Sequence, residues 1–387
     1  MSINILVLPS KSIYWNPSSL EIYLRNKLNE YIKFFSPQSF EKLKTPKSLR
    51  KRFFLDYLRI RVNNFSLPGN DLAWWGRLNE VENVHVSVIG SPNSTYFKDD
   101  LDSESAQRWP VLFGFKPVNF ISKEESLKSL TNFDYILSSS RFDDLYFNVL
   151  VKAKKLDVPI AMIDAHDDEP VYDLGKSYLL NSQRHPFDLL FKQDLPIGLR
   201  SNNILPLSPL PYPSGKNYIF KETKSFRSIF FSGADRPNIT RLDRGIICNY
   251  IEQNFLDSRI FLNKPKLPED LYEYLNKESL IQLSPSGRVW NSFRHCSAAI
   301  DSPVLVIPQN DCELTWDVFK DEENCITYDP NKLDEKNLNA LRSKIETVIK
   351  DDHLSKKIRY NYFDTIIKNC SQLNAAKYLL ENLKALR

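Results

Sequence analysis

Several features that define familiar protein classes are missing from this sequence of 387 residues. No apolar run approaches the roughly 20 residues that a membrane-spanning helix needs. The sequence contains no glycine-rich dinucleotide fingerprint, no Walker loop, no His-Glu-x-x-His motif and no nucleophile elbow. The first residues lack a basic start and a cleavage site, so no signal peptide is predicted. These absences argue against membrane-spanning proteins and against the enzyme classes that those motifs define.

Cysteine and net charge are also modest. The five cysteines are scattered without close pairs, which favours reduced thiols over a disulfide framework or a zinc site. The hydrophobic fraction of 42% and the charged fraction of 26% are ordinary for a globular protein, and the net charge of +4 predicts no partner by itself. We therefore expect a cytoplasmic globular protein that is long enough for two domains, each with its own core.

Positive charge is concentrated between residues 41 and 61, a stretch that contains eight Lys and Arg residues and only two acidic residues. Aromatic and aliphatic residues alternate with these charges, which predicts a basic amphipathic helix. One interpretation is peripheral contact with anionic lipid at the inner face of a membrane. The other is a solvated helix with one face in the core. A single basic helix without a nucleic-acid motif does not predict nucleic-acid binding.

Short apolar strands alternate with helical patterns along most of the chain. This order predicts parallel sheets with right-handed crossovers. The proline-dense run from Leu205 to Pro213 cannot form a helix or a central strand, so it predicts a stiff connection between two domains. Strands are predicted at 3–8, 85–90, 133–140, 158–164, 187–194, 228–232, 260–263 and 304–307, and helices at 144–156, 267–276, 291–300, 338–349 and 373–386.

The most informative stretch runs from Leu283 to Pro308. It predicts a strand that ends near Leu283, a turn of small residues at Ser284 to Gly287, the helix 291–300 and a second strand. Unpaired N–H groups in such a turn and at a helix N-terminus suit a phosphate group. Arg288 and Arg294 add planar charged donors. The stretch therefore predicts an anion site, with a nucleoside diphosphate as its occupant.

This stretch resembles the donor-site motif of GT-B glycosyltransferases, and it is most similar to the exostosin-like and spore-maturation-protein-like branches. The segment Glu323–Asp329 is similar to one that follows in those enzymes. The resemblance covers roughly the C-terminal half. It implies an α/β fold with two Rossmann-like domains that face a central cleft, and C-terminal helices that cross back to the first domain. The implied domains are 1–213 for the acceptor, 214–360 for the nucleotide-sugar and 361–387 for the returning helix.

The implied activity is transfer of a hexosyl or related group from a nucleotide-sugar to a hydroxyl of a glycan, lipid-linked or other surface-polymer acceptor. The nucleotide-sugar is a co-substrate, and no essential metal or other cofactor is expected. Glycine and arginine after the first strand of the second domain contact the donor phosphates in the resembling enzymes. The donor-binding residues implied are Gly233, Arg236, Ser284, Ser286, Gly287, Arg288, Arg294, His295 and Ser297. Arg241 and Arg244 follow closely, and for Arg244 an ordinary surface position on a helix is favoured.

Two departures from the family pattern concern the mechanism. Many retaining GT-B enzymes carry two glutamates where this chain has Val289 and Ser297. A carboxylate for the donor ribose is therefore missing, which favours an inverting reaction. The same departure supports an alternative function, a non-catalytic GT-B scaffold that binds nucleotide or glycan in a surface-polymer assembly system.

The densest group of titratable residues follows a predicted strand, from Asp164 to Glu169. The carboxyl end of a parallel strand is where ligands collect, so His166 and Asp167 are the candidate general bases for the acceptor hydroxyl. The other interpretation is a loop whose acidic residues cap the next element. Ser10 and Tyr14 follow the first strand and are candidate acceptor contacts or a surface loop. Of the adjacent Trp74 and Trp75, one is expected to be exposed.

Overall fold

The structure is a computed structural model of the chain. It describes residues 2–8, 72–89, 119–139, 144–164, 187–212, 218–235, 241–264, 267, 269–287, 290, 292 and 294–387. Within these ranges the chain forms two parallel β-sheets. The described ranges contain no helix with both the length and the apolar composition needed to cross a membrane.

The first sheet has seven strands in the described part of the chain, in the order β3-β2-β1-β4-β5-β6-β7. All neighbouring strands are parallel. Its central strands are largely buried, as continuous apolar runs predict for a parallel sheet covered on both faces. The strands are β1 (Ile3–Leu8), β2 (Val84–Ile89), β3 (Asn119–Ile121), β4 (Tyr135–Ser139), β5 (Ile160–Asp164), β6 (Leu189–Lys192) and β7 (Ile204–Pro206).

Three described helices accompany this sheet: α1 (Leu72–Trp75), α2 (Lys123–Lys128) and α3 (Asp144–Lys155). Helix α2 begins after Ser122, whose hydroxyl accepts the N–H of Glu125 at 3.1 Å. This Ser-x-x-Glu pattern is a helix start because the side chain satisfies an amide that has no partner in the first turn. Single 3-10 turns lie at Leu78–Glu80 and Leu130–Asn132.

The second sheet has five strands in the described residues, in the order β12-β11-β10-β8-β9, again all parallel. The strand order reverses between β8 and β10, as it does between β1 and β4 in the first sheet. The strands are β8 (Phe226–Gly233), β9 (Arg259–Leu262), β10 (Ser279–Leu283), β11 (Val304–Pro308) and β12 (Ile326–Tyr328). The helices beside them are α4 (Leu242–Asn254), α5 (Glu269–Glu278) and α6 (Arg294–Ser297), and Ala298–Asp301 form a 3-10 turn.

The chain ends with three long helices, α7 (Glu335–Lys350), α8 (Asp352–Asn369) and α9 (Gln372–Lys384). Each begins at an Asp or Ser whose side chain accepts the N–H three residues later. Helix α9 packs into the core of the first sheet, where Leu379 and Leu383 join the cluster of Ile5 and Val7. The predicted α/β fold, with a C-terminal helix that returns to the first sheet, is confirmed.

A second connection between the sheets follows β11. Residues 309–316, which we call the crossing segment, run from the second sheet to the first. Cys312 pairs with Pro196 in an antiparallel bridge, and Trp316 stacks on Trp74 with ring centroids 5.7 Å apart. The predicted domain boundary near residue 213 falls outside the described residues, so the domain limits stay predictions.

The paired tryptophans differ from the expectation that one of them is exposed. Trp74 is 0% exposed and Trp75 is 2% exposed. Helix α9 lies against α1, Trp316 stacks on Trp74, and both tryptophans belong to the core cluster of the first sheet. Stacking of an exposed tryptophan on a sugar is therefore ruled out for this pair.

Candidate donor site

The carboxyl ends of β8 and β10 meet where the strand order of the second sheet reverses. Open α/β sheets bind ligands in the crevice at such a point because the loops from the two strands diverge there. Gly233 ends β8 and Ser284 follows β10. A Cβ atom at Gly233 would lie 2.7 Å from Cζ of Phe231, so a larger residue there would displace that ring. This crevice is the candidate donor site.

The turn Ser284–Gly287 forms one wall of the crevice. The N–H of Ser284 donates to the carbonyl of Val306 at 2.8 Å, and the N–H of Ser286 donates to Oδ2 of Asp243 at 3.2 Å. These amides are therefore not free for a phosphate, which differs from the unpaired groups that the sequence predicts. The hydroxyls of Ser284 and Ser286 are buried and have no hydrogen-bond partner among the described residues. Donor contacts by these two serines stay a prediction, and the hydroxyls are the groups available for them.

The helix after this turn begins later than the predicted helix 291–300, whose second half is the 3-10 turn Ala298–Asp301. It has four residues, Arg294–Ser297, and Ser292 lies outside it. The hydroxyl of Ser292 accepts the N–H of Arg294 at 3.3 Å. The carbonyl of Ser292 accepts the N–H of His295 at 2.9 Å, so Ser292 is bonded to the first residues of the helix from outside it. The positive charge beside the turn comes from side chains.

Two arginines supply that charge. Arg244 is on α4 and only 8% exposed; its Nε donates to the carbonyl of Ser286 and its Nη1 to that of Ala234, both at 2.7 Å. Nη2 of Arg294 donates to the carbonyl of Ser232 at 2.8 Å. Both guanidinium groups lie within 6 Å of the Phe231 ring centroid. The interpretation of Arg244 as a surface residue is therefore wrong, because the turn after β10 covers its side chain.

Charges of both signs act on the guanidinium of Arg244. Burial lowers the pKa of Arg244, and the nearby charge of Arg294 lowers that pKa further, while the carboxylates of Asp243 and Asp235 oppose the shift. The guanidinium of Arg244 hydrogen-bonds to carbonyl oxygens and forms no ion pair with any described residue. A buried charge without a directly bonded counter-charge is costly. An anion bound in the crevice would remove that cost and accept charge-assisted hydrogen bonds.

Asp243 is a buried carboxylate that hydrogen-bonds to the turn Ser284–Gly287. It is 2% exposed, and its Oδ2 accepts both the Ser286 amide and the hydroxyl of Tyr328 at 2.7 Å. Burial raises the pKa of Tyr328, and the Asp243 carboxylate raises it further, so this hydroxyl stays protonated and donates. The segment Glu323–Asp329, noted for its resemblance, therefore contributes a support for the turn.

His295 lies beneath the same turn, fully buried. Its ring centroid is 4.6 Å from that of Trp290 and 5.9 Å from that of Phe319, and its Nε2 is 3.4 Å from the carbonyl oxygen of Ser284. Burial lowers the pKa of His295 to about 3, so the ring is neutral at pH 7. A donor contact by His295 stays a prediction, and such a contact would come from a neutral imidazole.

The remaining predicted donor residues have different positions. Gly287 is half-buried in the turn, and its carbonyl accepts the N–H of Arg241 at 2.9 Å. Ser297 is half-buried at the end of α6. Arg236, Arg288 and the departure position Val289 lie outside the described residues.

At the carboxyl ends of β5 and β6, the first sheet carries a largely buried ion pair that the sequence did not predict. Nζ of Lys192, at the end of β6, is 2.7 Å from Oδ2 of Asp164, at the end of β5. The Lys192 side chain is 2% exposed and that of Asp164 is 20% exposed. The signal in the sequence was a lysine directly after three apolar strand residues. Asp164 leads into the predicted base cluster, whose members His166 and Asp167, like the predicted acceptor contacts Ser10 and Tyr14, lie outside the described residues.

No protein-family model matches the sequence, and no curated protein matches it either. Solved structures do match, and those named below are GT-B glycosyltransferases. HepE from Anabaena in complex with UDP has a TM-score of 0.50, 10% identity, and 100% coverage of both chains. A glycosyltransferase from Rickettsia africae has a TM-score of 0.49 and 12% identity over 82% of this chain and 94% of its own. An alpha-glucosyltransferase in complex with UDP has a TM-score of 0.49 and 10% identity over 99% of this chain and 100% of its own. On the likeness to HepE, together with the two parallel sheets, this chain has the GT-B fold.

Proposed function

We propose that the protein is a glycosyltransferase that moves a sugar from a nucleotide-sugar to a hydroxyl of a glycan or lipid-linked acceptor. The observation that carries this proposal is the pair formed by the buried Arg244 and the half-buried Arg294, at the point where the strand order of the second sheet reverses. The GT-B fold adds support, because HepE shares it and was crystallised with UDP. UDP is therefore the first nucleotide to test.

In this proposal the arginines bind the donor diphosphate. Negative charge grows on the diphosphate as the sugar departs, and donors that are already in place stabilise that charge without reorganising. Arg244 is held by two carbonyl oxygens, so its position is fixed before the donor binds. The hydroxyls of Ser284 and Ser286 complete the wall. We propose that the nucleotide-sugar is a co-substrate and that two guanidinium groups replace an essential metal.

The acceptor side of the proposal rests on the first sheet. A base from the cluster after β5, His166 or Asp167, takes the proton of the acceptor hydroxyl in an inverting reaction. The ion pair of Lys192 with Asp164 supports this assignment, because it fixes the end of the strand that leads into the cluster. The sequence resemblance supports membership of the exostosin-like or spore-maturation-protein-like branch. We also propose a cytoplasmic protein that contacts the membrane peripherally through residues 41–61.

A thermal-shift screen tests the donor site. Purified protein is heated with UDP, GDP, ADP, CMP and their common sugar conjugates, since a ligand of the folded state raises the melting temperature. We expect one nucleoside diphosphate to give a shift that Arg244→Gln abolishes. Arg227→Gln is the matched control, because Arg227 is an exposed arginine that pairs with Asp352. A folded protein that responds to none of these nucleotides would contradict the proposal.

The non-catalytic scaffold remains the second candidate, because Ser297 stands where retaining enzymes of the family carry a glutamate. Turnover separates the two candidates. The conjugate that gives the largest shift is incubated with the protein and pooled acceptors, and the nucleoside diphosphate released is measured with and without EDTA. Release that persists in EDTA supports a metal-independent enzyme. Tight binding without release supports the scaffold.

A further inference from the structure

The crossing segment (309–316) contacts the donor crevice through one residue and the first sheet through others. Glu313 donates its N–H to the carbonyl of Leu195 at 2.6 Å, and its Oε1 accepts the N–H of Gly198 at 2.7 Å. Two residues earlier, the carboxylate of Asp311 forms an ion pair with Nη1 of Arg241. The segment that joins the sheets is thus bonded directly to Arg241, the residue before α4.

Arg241 lies beside the donor crevice. It is the residue that precedes α4, and its N–H donates to the carbonyl of Gly287, the last residue of the turn. Its own carbonyl accepts the N–H of Arg244 at 3.3 Å. The backbone of Arg241 is therefore fixed between the turn and the buried arginine, while its side chain is bonded to Asp311.

The ion pair between Arg241 and Asp311 is weak because both side chains are partly exposed to water. The two side chains are 33% and 40% exposed, so water screens their attraction. Partly exposed ion pairs of this kind contribute little to stability. A diphosphate carries more charge than one carboxylate and accepts paired hydrogen bonds from a guanidinium. A nucleotide in the crevice would therefore compete well with Asp311 for this arginine.

We propose that Arg241 is a third donor-binding arginine, and that Asp311 holds its side chain until a nucleoside diphosphate takes the place of the carboxylate. This inference rests on the proposed function and names a donor residue that the sequence motif left unassigned. Asp311 acts as a positioning residue, since it contacts Arg241 and not the donor. Donor binding would free Asp311 and so alter one attachment of the crossing segment.

Isothermal titration calorimetry of the full-length protein with UDP tests this exchange. Asp311→Asn removes the competing charge, so we expect UDP to bind roughly two- to fivefold tighter. Arg241→Gln should weaken UDP binding by about three- to tenfold. In the double variant, Asp311→Asn should have no further effect, because the competition needs Arg241.

Glu313→Gln is the matched control. It removes one negative charge two residues from Asp311, and the Glu313 carboxylate contacts Gly198 instead of an arginine. UDP affinity should be unchanged in this variant. An equal gain in Glu313→Gln would mean a general charge effect and would overturn the exchange.

Two other outcomes also decide the matter. If wild-type protein binds UDP and Asp311→Asn binds it no tighter or more weakly, the inference fails while the proposed function stands. If folded wild-type protein binds neither UDP nor another nucleoside diphosphate, the proposed function fails and the inference fails with it.

Discussion

The buried histidine beneath the donor turn should make the protein sensitive to mild acid. His295 is fully buried, and burial lowers its pKa to about 3, whereas an unfolded chain has a histidine pKa near 6.5. Below pH 6.5 the unfolded chain binds a proton that the folded protein does not. Stability from this residue is therefore complete above pH 6.5 and is lost as the pH falls toward 3. At about 1.36 kcal/mol per pH unit, the loss between pH 7 and pH 5 is about 2 kcal/mol.

Urea unfolding followed by tryptophan fluorescence measures this loss. The free energy of unfolding is determined at several pH values between 7 and 5 for wild type and for His295→Gln. Glutamine keeps an N–H donor toward the carbonyl of Ser284 but cannot take up a proton in this range. Between pH 7 and pH 5, the free energy of unfolding should fall by about 2 kcal/mol less in the variant than in wild type. The comparison uses the change with pH within each protein, so any cost of the substitution at pH 7 cancels.

His353→Gln is the control, because His353 is exposed on α8. Its pH dependence should match that of wild type. The reasoning is refuted if wild type and His295→Gln lose the same stability on acidification, because His295 would then accept a proton in the folded protein. It is also refuted if His353→Gln flattens the curve as much as His295→Gln does.

Three further predictions concern other parts of the fold. Burial lowers the pKa of Lys224 from 10.5 to about 7, so the stability of the folded protein should rise with pH between those values. Melting temperatures measured from pH 7 to 9.5 should show this rise in wild type and not in Lys224→Met. Leu379→Ala should cost about 2–5 kcal/mol in urea unfolding, because α9 buries this side chain completely in the first core. The exposed Leu256→Ala should cost far less, and equal costs would contradict the packing. Lys192→Met should abolish sugar transfer yet keep the UDP-induced thermal shift, since the pair with Asp164 belongs to the other sheet; loss of the shift would place Lys192 in donor binding.

Buried parallel strands were the part of the fold that the sequence predicted well. The strand predicted at 304–307 is observed at Val304–Pro308, and the one predicted to end near Leu283 ends there. Such strands are covered on both faces, so their sequences are unbroken apolar runs that local patterns detect. The turn of small residues after Leu283 was predicted for the same reason, because it interrupts an apolar run.

Features that depend on distant contacts were not predictable from local patterns. Arg244 lies on a helix among polar residues, and what buries it is a turn 42 positions later. Lys192 and Asp164 are 28 positions apart and become neighbours only because β5 and β6 pair. Helix α6 begins at Arg294, and the bonds that Ser292 accepts from the N–H groups of Arg294 and His295 are not visible in an apolar pattern. Each of these cases needed the three-dimensional neighbours that the fold supplies.

The return of α9 to the first sheet affects the order in which the protein is completed during synthesis. Strand β1 leaves the ribosome long before Leu379 and Leu383, which share its apolar core. Domains generally fold as units once their residues are available. The second sheet can therefore mature while the first still exposes the apolar surface that α9 later covers. Until α9 has been synthesised, the uncovered core around β1 is therefore prone to aggregation, and the docking of α9 ends that period.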